Sequence, residues 1–230
     1  MKRNHKLYLN KYILIIICVI ILPGIYYYVK LKYSMKKRRA VPVKQRLSIM
    51  KDLFHDVADI ANNNDIKIFL LYGTLLGRQR NNKLICYDYD VDVGVLTSDF
   101  NKLKDALKKH INQNKYELII TDLILSKKIE IMDKKSQLSI DIFAYKKTKN
   151  GSFQRDINYF SYLYFAYVLK QCNKRDIPRD WFLPLKAVSF LGKNVYIPNK
   201  PSAFLKCEYG KNYINPDHKC NQDCSKCVKT

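Results

Sequence analysis

Between Asp88 and Val95 the run DYDVDVGV alternates carboxylates with apolar residues. Read as extended backbone, it places Asp88, Asp90 and Asp92 on one face and Val91, Val93 and Val95 on the other. Side chains two residues apart on a strand lie about 6.6 Å apart along its axis, so Asp90 and Asp92 can lean toward one point. Two ionised carboxylates about 7 Å apart, at an effective dielectric of about 20, repel by about 2.4 kcal/mol, a cost that a divalent cation removes. Mg²⁺ (or Mn²⁺) suits such a place because it prefers hard oxygen ligands and takes one or two carboxylates plus a substrate phosphate. A third carboxylate, Asp141, interrupts the apolar run Ile140-Asp141-Ile142, where a buried strand prefers no polar residue. It reads either as a metal ligand or as the general base for an attacking hydroxyl.

A cation among carboxylates needs something to act on, and the upstream turn offers a place for it. Ile66–Leu71 (IKIFLL) is a short apolar run ended by Tyr72-Gly73, which reads as a buried strand entering a tight turn. Gly73 would let the backbone approach a phosphate, and Thr74 would cap a short helix running through Arg80 and donate to that phosphate. The guanidinium fork of Arg80 matches phosphate oxygens. An Asp-x-Asp pair alone more often marks a solvated turn. The Gly-Thr turn, the alternating acids and the later apolar-Asp-apolar strand are together the parts of a metal-dependent nucleotidyl or phosphoryl transferase.

The elements that must position these residues follow from periodicity. Leu47, Met50, Leu53, Phe54, Val57, Ile60 and Ala61 recur at helical spacing up to Asn62-Asn63-Asn64. Ser98 or Asp99 is expected to cap a second helix with Phe100, Leu103, Ala106, Leu107 and His110 on one side. Three strands are expected at Tyr116–Thr121, Lys128–Met132 and Leu138–Tyr145. The aromatic run Asn158–Leu169 and Trp181 read as core, and Val188–Ile197 as a hairpin turning around Gly192-Lys193-Asn194. The order of elements gives an α/β (α+β) fold, a mixed sheet flanked by helices.

The chain has 230 residues with 47% hydrophobic and 27% charged, and only 7 Gly and 7 Pro, which excludes collagen-like, low-complexity and polyelectrolyte classes. The formal net charge is +22, with 42 basic residues. Twelve of these lie in residues 1–46, which contain no acid, so more than half of the excess flanks one apolar segment. Tyr12–Val29 is uncharged over eighteen residues, about 27 Å as a helix, and reads as a single transmembrane anchor with Tyr26, Tyr27 and Tyr28 at an interface, in preference to a cleaved signal peptide, since no small-x-small site follows Leu22. The flanking charges, heavier on the C-terminal side, favour a cytoplasmic C-terminal domain.

The run Leu71-Tyr72-Gly73-Thr74-Leu75-Leu76-Gly77, followed by Arg80, Ile85, Asp88, Asp90, Asp92 and Gly94, resembles the signature of the LicD/fukutin family of the nucleotidyltransferase-fold superfamily. Ile140-Asp141-Ile142-Phe143, Leu183-Pro184-Leu185, Phe190-x-Gly192, Ile197-Pro198, and Tyr209-Gly210 before Pro216 resemble later blocks of the family in the same order. The likeness covers roughly residues 45–217. It implies a nucleotidyltransferase-like sheet and transfer of a phosphorylated alcohol, such as phosphocholine or ribitol phosphate, from a CDP-linked donor to a hydroxyl of a glycan. The acceptor would be a glycoprotein, a glycolipid or a cell-surface polysaccharide. Asp90 and Asp92 match the metal pair, Asp88 the preceding acid, Asp141 the third carboxylate, Gly73 and Thr74 the phosphate-binding turn, and Arg80 the motif arginine. The sequence departs at Cys86-Tyr87, where the family usually has Pro-Trp. The anchor is similar to that of the fukutin branch and implies a lumenal domain in the Golgi or ER, against the flanking charges.

The resulting organisation is a basic tail at 1–11, an anchor at 12–29, a basic stalk at 30–46, a LicD-like domain at 47–217 and a Cys-rich tail at 218–230. In that tail His218, Cys220, Cys224 and Cys227 suit either disulfides or one structural Zn²⁺. Two other functions stay open at this stage. One is a catalytically inactive relative acting as a binding or scaffold protein in glycosylation; the other is a basic protein that binds nucleic acid or adds nucleotides, which the anchor disfavours.

Overall fold

The computed structural model describes residues 22–123, 126–157 and 176–215. The chain divides into two compact units between Val41 and Pro42. In the first, helix α1 (Leu22–Ala40) runs unbroken across the expected junction of anchor and stalk, since no Gly or Pro falls between Tyr26 and Arg39. Lys32 and Lys37 lie 5.0 Å from the ring centres of Tyr28 and Tyr33, one helical turn earlier. Lys37, Arg38 and Arg39 occupy the last turn, where positive charge is favoured. Among the described residues no helix is long and apolar enough to cross a membrane; residues 12–21 of the expected span lie outside them.

The second unit is a mixed sheet with helices on both sides. Helix α2 (Val43–Asn63) buries Met50, Leu53, Phe54, Val57, Ala58 and Ala61. It begins at Val43, ahead of the expected Leu47, so Arg46 belongs to its buried stripe. The strands are β1 (Phe69–Leu70), β2 (Asp90–Leu96), β3 (Tyr116–Leu123), β4 (Ser126–Asp133), β5 (Ser139–Lys147), β6 (Phe153–Arg155), β7 (Lys186–Phe190) and β8 (Lys193–Ile197). Between them run helices α3 (Tyr72–Asn81), α4 (Thr97–His110), α5 (Arg179–Phe182) and α6 (Pro201–Tyr209). The sheet order is β3-β4-β5-β2-β1-β8-β7, with β6 paired to β5. Strands β2 and β5 are parallel neighbours, as are β1 and β8; the remaining pairs are antiparallel.

Alternation along the central strands gives the sheet two unlike faces. Val91, Val93, Val95, Ile129, Ile131, Ile140 and Ile142 are fully buried, on the side packed by α2 and α4. The other face carries Asp90, Asp92, Asp141, Lys128 and Glu130. An aromatic cluster closes its far end, with the Phe182 ring 5.1 Å from Phe69, 5.4 Å from Tyr145 and 4.6 Å from Phe153. Gly94 makes room for Phe69, whose ring atoms would lie 2.2–2.9 Å from any added Cβ.

Four expectations change in detail. The strand expected over Ile66–Leu71 is a strand only at Phe69–Leu70, although Ile66, Ile68 and Leu71 are buried. Helix α4 starts at Thr97 with no side-chain cap from Ser98 or Asp99; the Thr97 hydroxyl donates instead to Asp156 (3.2 Å). The hairpin turns at Leu191-Gly192, both at positive φ (52° and 86°), as a two-residue turn of the twist-matched kind requires. His55 Nε2 donates to the Leu191 carbonyl at 2.7 Å. Trp181 is half-buried, and its neighbour Phe182 takes the core position. The run 158–169 lies outside the described residues.

Candidate active site

Parallel pairing of β2 with β5 sets Asp92 opposite Asp141. Asp90, one pleat earlier, shares their face, and each of the three offers an oxygen within 4.8 Å of the others. The expected strand over Asp88–Val95 begins only at Asp90. Asp88 therefore sits in the preceding loop, its carboxylate against Gly73, where an added Cβ would lie 2.6 Å from Oδ2.

The electrostatics are those of acids packed together without enough cations. Burial, followed by repulsion from Asp90, Asp141 and Asp88, pushes the Asp92 carboxyl well above its usual range, with Lys128 opposing. Burial raises Asp141 to about 6 despite Lys128. Burial and Asp90 raise Asp88 to about 7, against the pull of Arg46 and Arg80. Asp141 Oδ1 is buried and accepts no hydrogen bond. An oxygen in that state beside two more carboxylates fits a divalent cation, which Asp90, Asp92 and Asp141 would hold.

The Gly-Thr turn has a role that its sequence does not suggest, and Thr74 is not the expected helix cap. Thr74 lies inside α3, 2% exposed, and caps nothing; Leu71 is the N-cap residue. The Thr74 Oγ1 accepts the Asp92 backbone N–H at 2.8 Å, and the Leu71 N–H donates to the Asp92 carbonyl at 3.1 Å. Both backbone polar groups of Asp92 are thus fixed by the turn. Tyr72 enters α3 at φ 40°, a left-handed conformation that is costly for a bulky residue and typical of functional turns. Its buried hydroxyl hydrogen-bonds that of Tyr145 at 2.9 Å, and burial pushes its phenol up to about 12.

A cavity of about 650 Å³ opens beside Asp88, walled by Gly73, Leu76, Ile85, Tyr87, Tyr209 and the turn at 212–215. Arg80, expected to bind phosphate, spends Nε and Nη2 on the Tyr213 carbonyl (3.0 and 2.5 Å) and Nη2 also on that of Asn215 (3.2 Å). It ties that wall to α3. Tyr209, which reads from sequence as a packing residue, keeps 44% of its surface exposed, while partial burial and the charges of Glu208, Asp92 and Asp88 push its phenol up.

Sequence reasoning missed three charged residues here. Arg46, read as part of the basic stalk, is 4% exposed. Its Nη2 donates to the Cys86 carbonyl at 2.7 Å and its guanidinium lies 4.4 Å from the Tyr89 ring centre, so it braces the loop carrying Asp88. The signal was its place four residues before Met50 on one helical stripe. Lys128 and Glu130 are the outward members of alternating strand β4. Glu130 pairs directly with Asp141, and Lys128 Nζ lies 2.7 Å from Asp141 Oδ2. Burial works against the Lys128 charge, but Asp141 and Glu130 more than offset it and hold the ammonium above its ordinary value.

Cys86 and Cys207 are each disulfide-bonded. His218, Cys220, Cys224 and Cys227, the residues expected to form disulfides or a Zn²⁺ site, lie outside the described residues.

A family model for the nucleotidyltransferase domain of LicD/FKTN/FKRP matches residues 65–200, a stretch that contains the turn, the acids and the sheet joining them. The chain belongs to the LicD/FKTN/FKRP family. Its domain is of the transferase type. Two similar curated proteins are uncharacterised proteins of Rickettsia. That of Rickettsia typhi is 28% identical over 193 residues, covering 79% of this chain and 52% of that protein. That of Rickettsia prowazekii is 27% identical over 183 residues, covering 79% of this chain and 61% of that protein. The LicD-type chain thus spans between half and two thirds of the length of these relatives. Among solved structures, the antibiotic-resistance factor ANT(2'')-Ia aligns with a TM-score of 0.41 and 9% identity over 66% of each chain.

Proposed function

We propose that this protein is a metal-dependent phosphotransferase. It moves a phosphorylated alcohol, such as phosphocholine or ribitol phosphate, from a CDP-linked donor to a hydroxyl group of a glycan. The observation that carries the reading is the convergence of Asp90, Asp92 and Asp141 within 4.8 Å, next in the chain to Asp88 on the wall of a cavity of about 650 Å³; family membership supports the reaction class.

In the proposed reaction the acceptor oxygen attacks the phosphorus that bears the alcohol. The new P–O bond forms as the bond to the CMP oxygen breaks, and the hydroxyl proton leaves to a base. A bound divalent ion would neutralise charge on the phosphate oxygens during this in-line displacement. The chain's own part is positional. Leu71 and Thr74 hold the Asp92 backbone, Gly73 leaves room for Asp88 at the cavity mouth, and Tyr87 and Tyr209 offer aromatic walls on which a base or a sugar can stack.

We place the domain at a membrane, with residues 12–29 as its anchor, in an oxidising compartment such as the lumen of the Golgi or ER. The two disulfide-bonded cysteines support the oxidising side. The test is a donor screen on the purified chain with Mg²⁺ or Mn²⁺ and CDP-choline, CDP-ribitol or CDP-glycerol, following CMP release with candidate glycans. Release from one donor that depends on both metal and acceptor is expected. No release from any donor counts against the reading.

A further inference from the structure

The row of cross-strand neighbours Asp92, Asp141 and Glu130 runs over three adjacent strands. Two-metal transfer sites place their ions about 3.5–4 Å apart, and the second ion needs its own convergent oxygens. On the β4 side those oxygens would be the outer oxygen of Asp141 and the carboxylate of Glu130. The Lys128 ammonium stands at that point, 2.7 Å from Asp141 Oδ2 and 3.4 Å from Glu130 Oε2. A magnesium-like ion would need to come within about 2.1 Å of the same oxygens, which the ammonium prevents. Oδ1 of Asp141, buried and without a hydrogen bond, is the oxygen the ammonium does not engage, on a residue grouped with Asp90 and Asp92.

We propose that Lys128 is the site's built-in second cation: by holding the outer oxygen of Asp141 against Glu130, it limits the carboxylates to one divalent ion and turns Asp141 Oδ1 toward it. Lys128 is then a positioning residue acting through Asp141. The inference rests on the metal-dependent reading above, and it concerns how many ions the site takes.

Mn²⁺ binding to the full chain, measured by calorimetry and by electron paramagnetic resonance, tests it. The unmodified protein is expected to take one ion with an uncoupled spectrum. In Lys128→Met the stoichiometry should rise to two, with the spectrum of an exchange-coupled pair. Lys128→Arg should keep one, and adding Glu130→Gln to Lys128→Met should return the count to one. Two coupled ions in the unmodified protein would overturn the proposal without any variant, so it stays testable even if Lys128→Met does not fold. A single ion in a folded Lys128→Met with unchanged affinity would overturn it while leaving the metal-dependent reading intact. No Mn²⁺ bound by the unmodified protein would overturn both.

Discussion

Strand β2 puts two opposed environments one residue apart. Val91, Val93 and Val95 are fully buried on the side covered by α2 and α4. Asp90 and Asp92, interleaved with them, join Asp141 in a cluster whose carboxyl groups are pushed upward by burial and by one another. The first face lowers the free energy of the fold; the second raises it, a cost that a bound cation would remove. The difference teaches that the strand is anchored by the side chains that do no chemistry, so the reactive side can stay electrostatically unfavourable without unravelling.

Replacing a residue on one face should therefore change different observables from a replacement on the other. The largest effect is expected for Asp92→Asn. Transfer should fall by about 10³-fold or more, several kcal/mol of transition-state stabilisation, while the metal-free Tm above neutral pH rises because one repelling charge is gone. A lower Tm would break the comparison. On the opposite face, Ile131→Ala removes a fully buried side chain and should cost about 2–5 kcal/mol in denaturant unfolding, with turnover per folded molecule retained.

Thr74→Val lies between the two, since it leaves the Asp92 N–H without its acceptor. A loss of about 1–3 kcal/mol is expected, together with weaker metal binding in calorimetry, and Thr74→Ser should restore both.

The smallest effect is a pH dependence. A carboxyl raised from 3.8 to about 7, as in Asp88, binds its proton more tightly folded than unfolded. Its contribution to stability is then full below pH 3.8 and is lost as pH climbs through about 7; Asp141 follows the same sign, with loss through about 6. Saturating Mg²⁺ should offset the repulsion. The Tm gap between Mg²⁺-loaded and metal-free protein should therefore widen between about pH 5 and about pH 8. A constant gap would show that the acids are not the source of the cost.

Much of this architecture was legible from local pattern. Strands β3, β4 and β5 follow their alternation, and Phe100, Leu103, Ala106 and Leu107 form the buried side of α4 as their spacing requires. The carboxylate trio was legible because its members interrupt apolar strands. What escaped depends on which distant segment lies opposite. The Thr74 hydroxyl serves the Asp92 backbone because α3 packs on β2, and Lys128 reaches Asp141 because of the β4–β5 register. Charge at Arg46 grouped it with the basic stalk, whereas its stripe on α2 and the Tyr89 ring made a buried place for it. Asp88 was placed on the acid face of β2, but the strand starts two residues later.

The cavity wall at 212–215 is a turn outside the sheet, tied to α3 by Arg80. Its exposed members, Asn212 and Asn215, are open to exchange without moving any carboxylate. If the proposed transfer takes place here, selection of the guest and its transformation would rest on separate segments, and a redesign of donor preference would begin at that turn and leave the strands untouched.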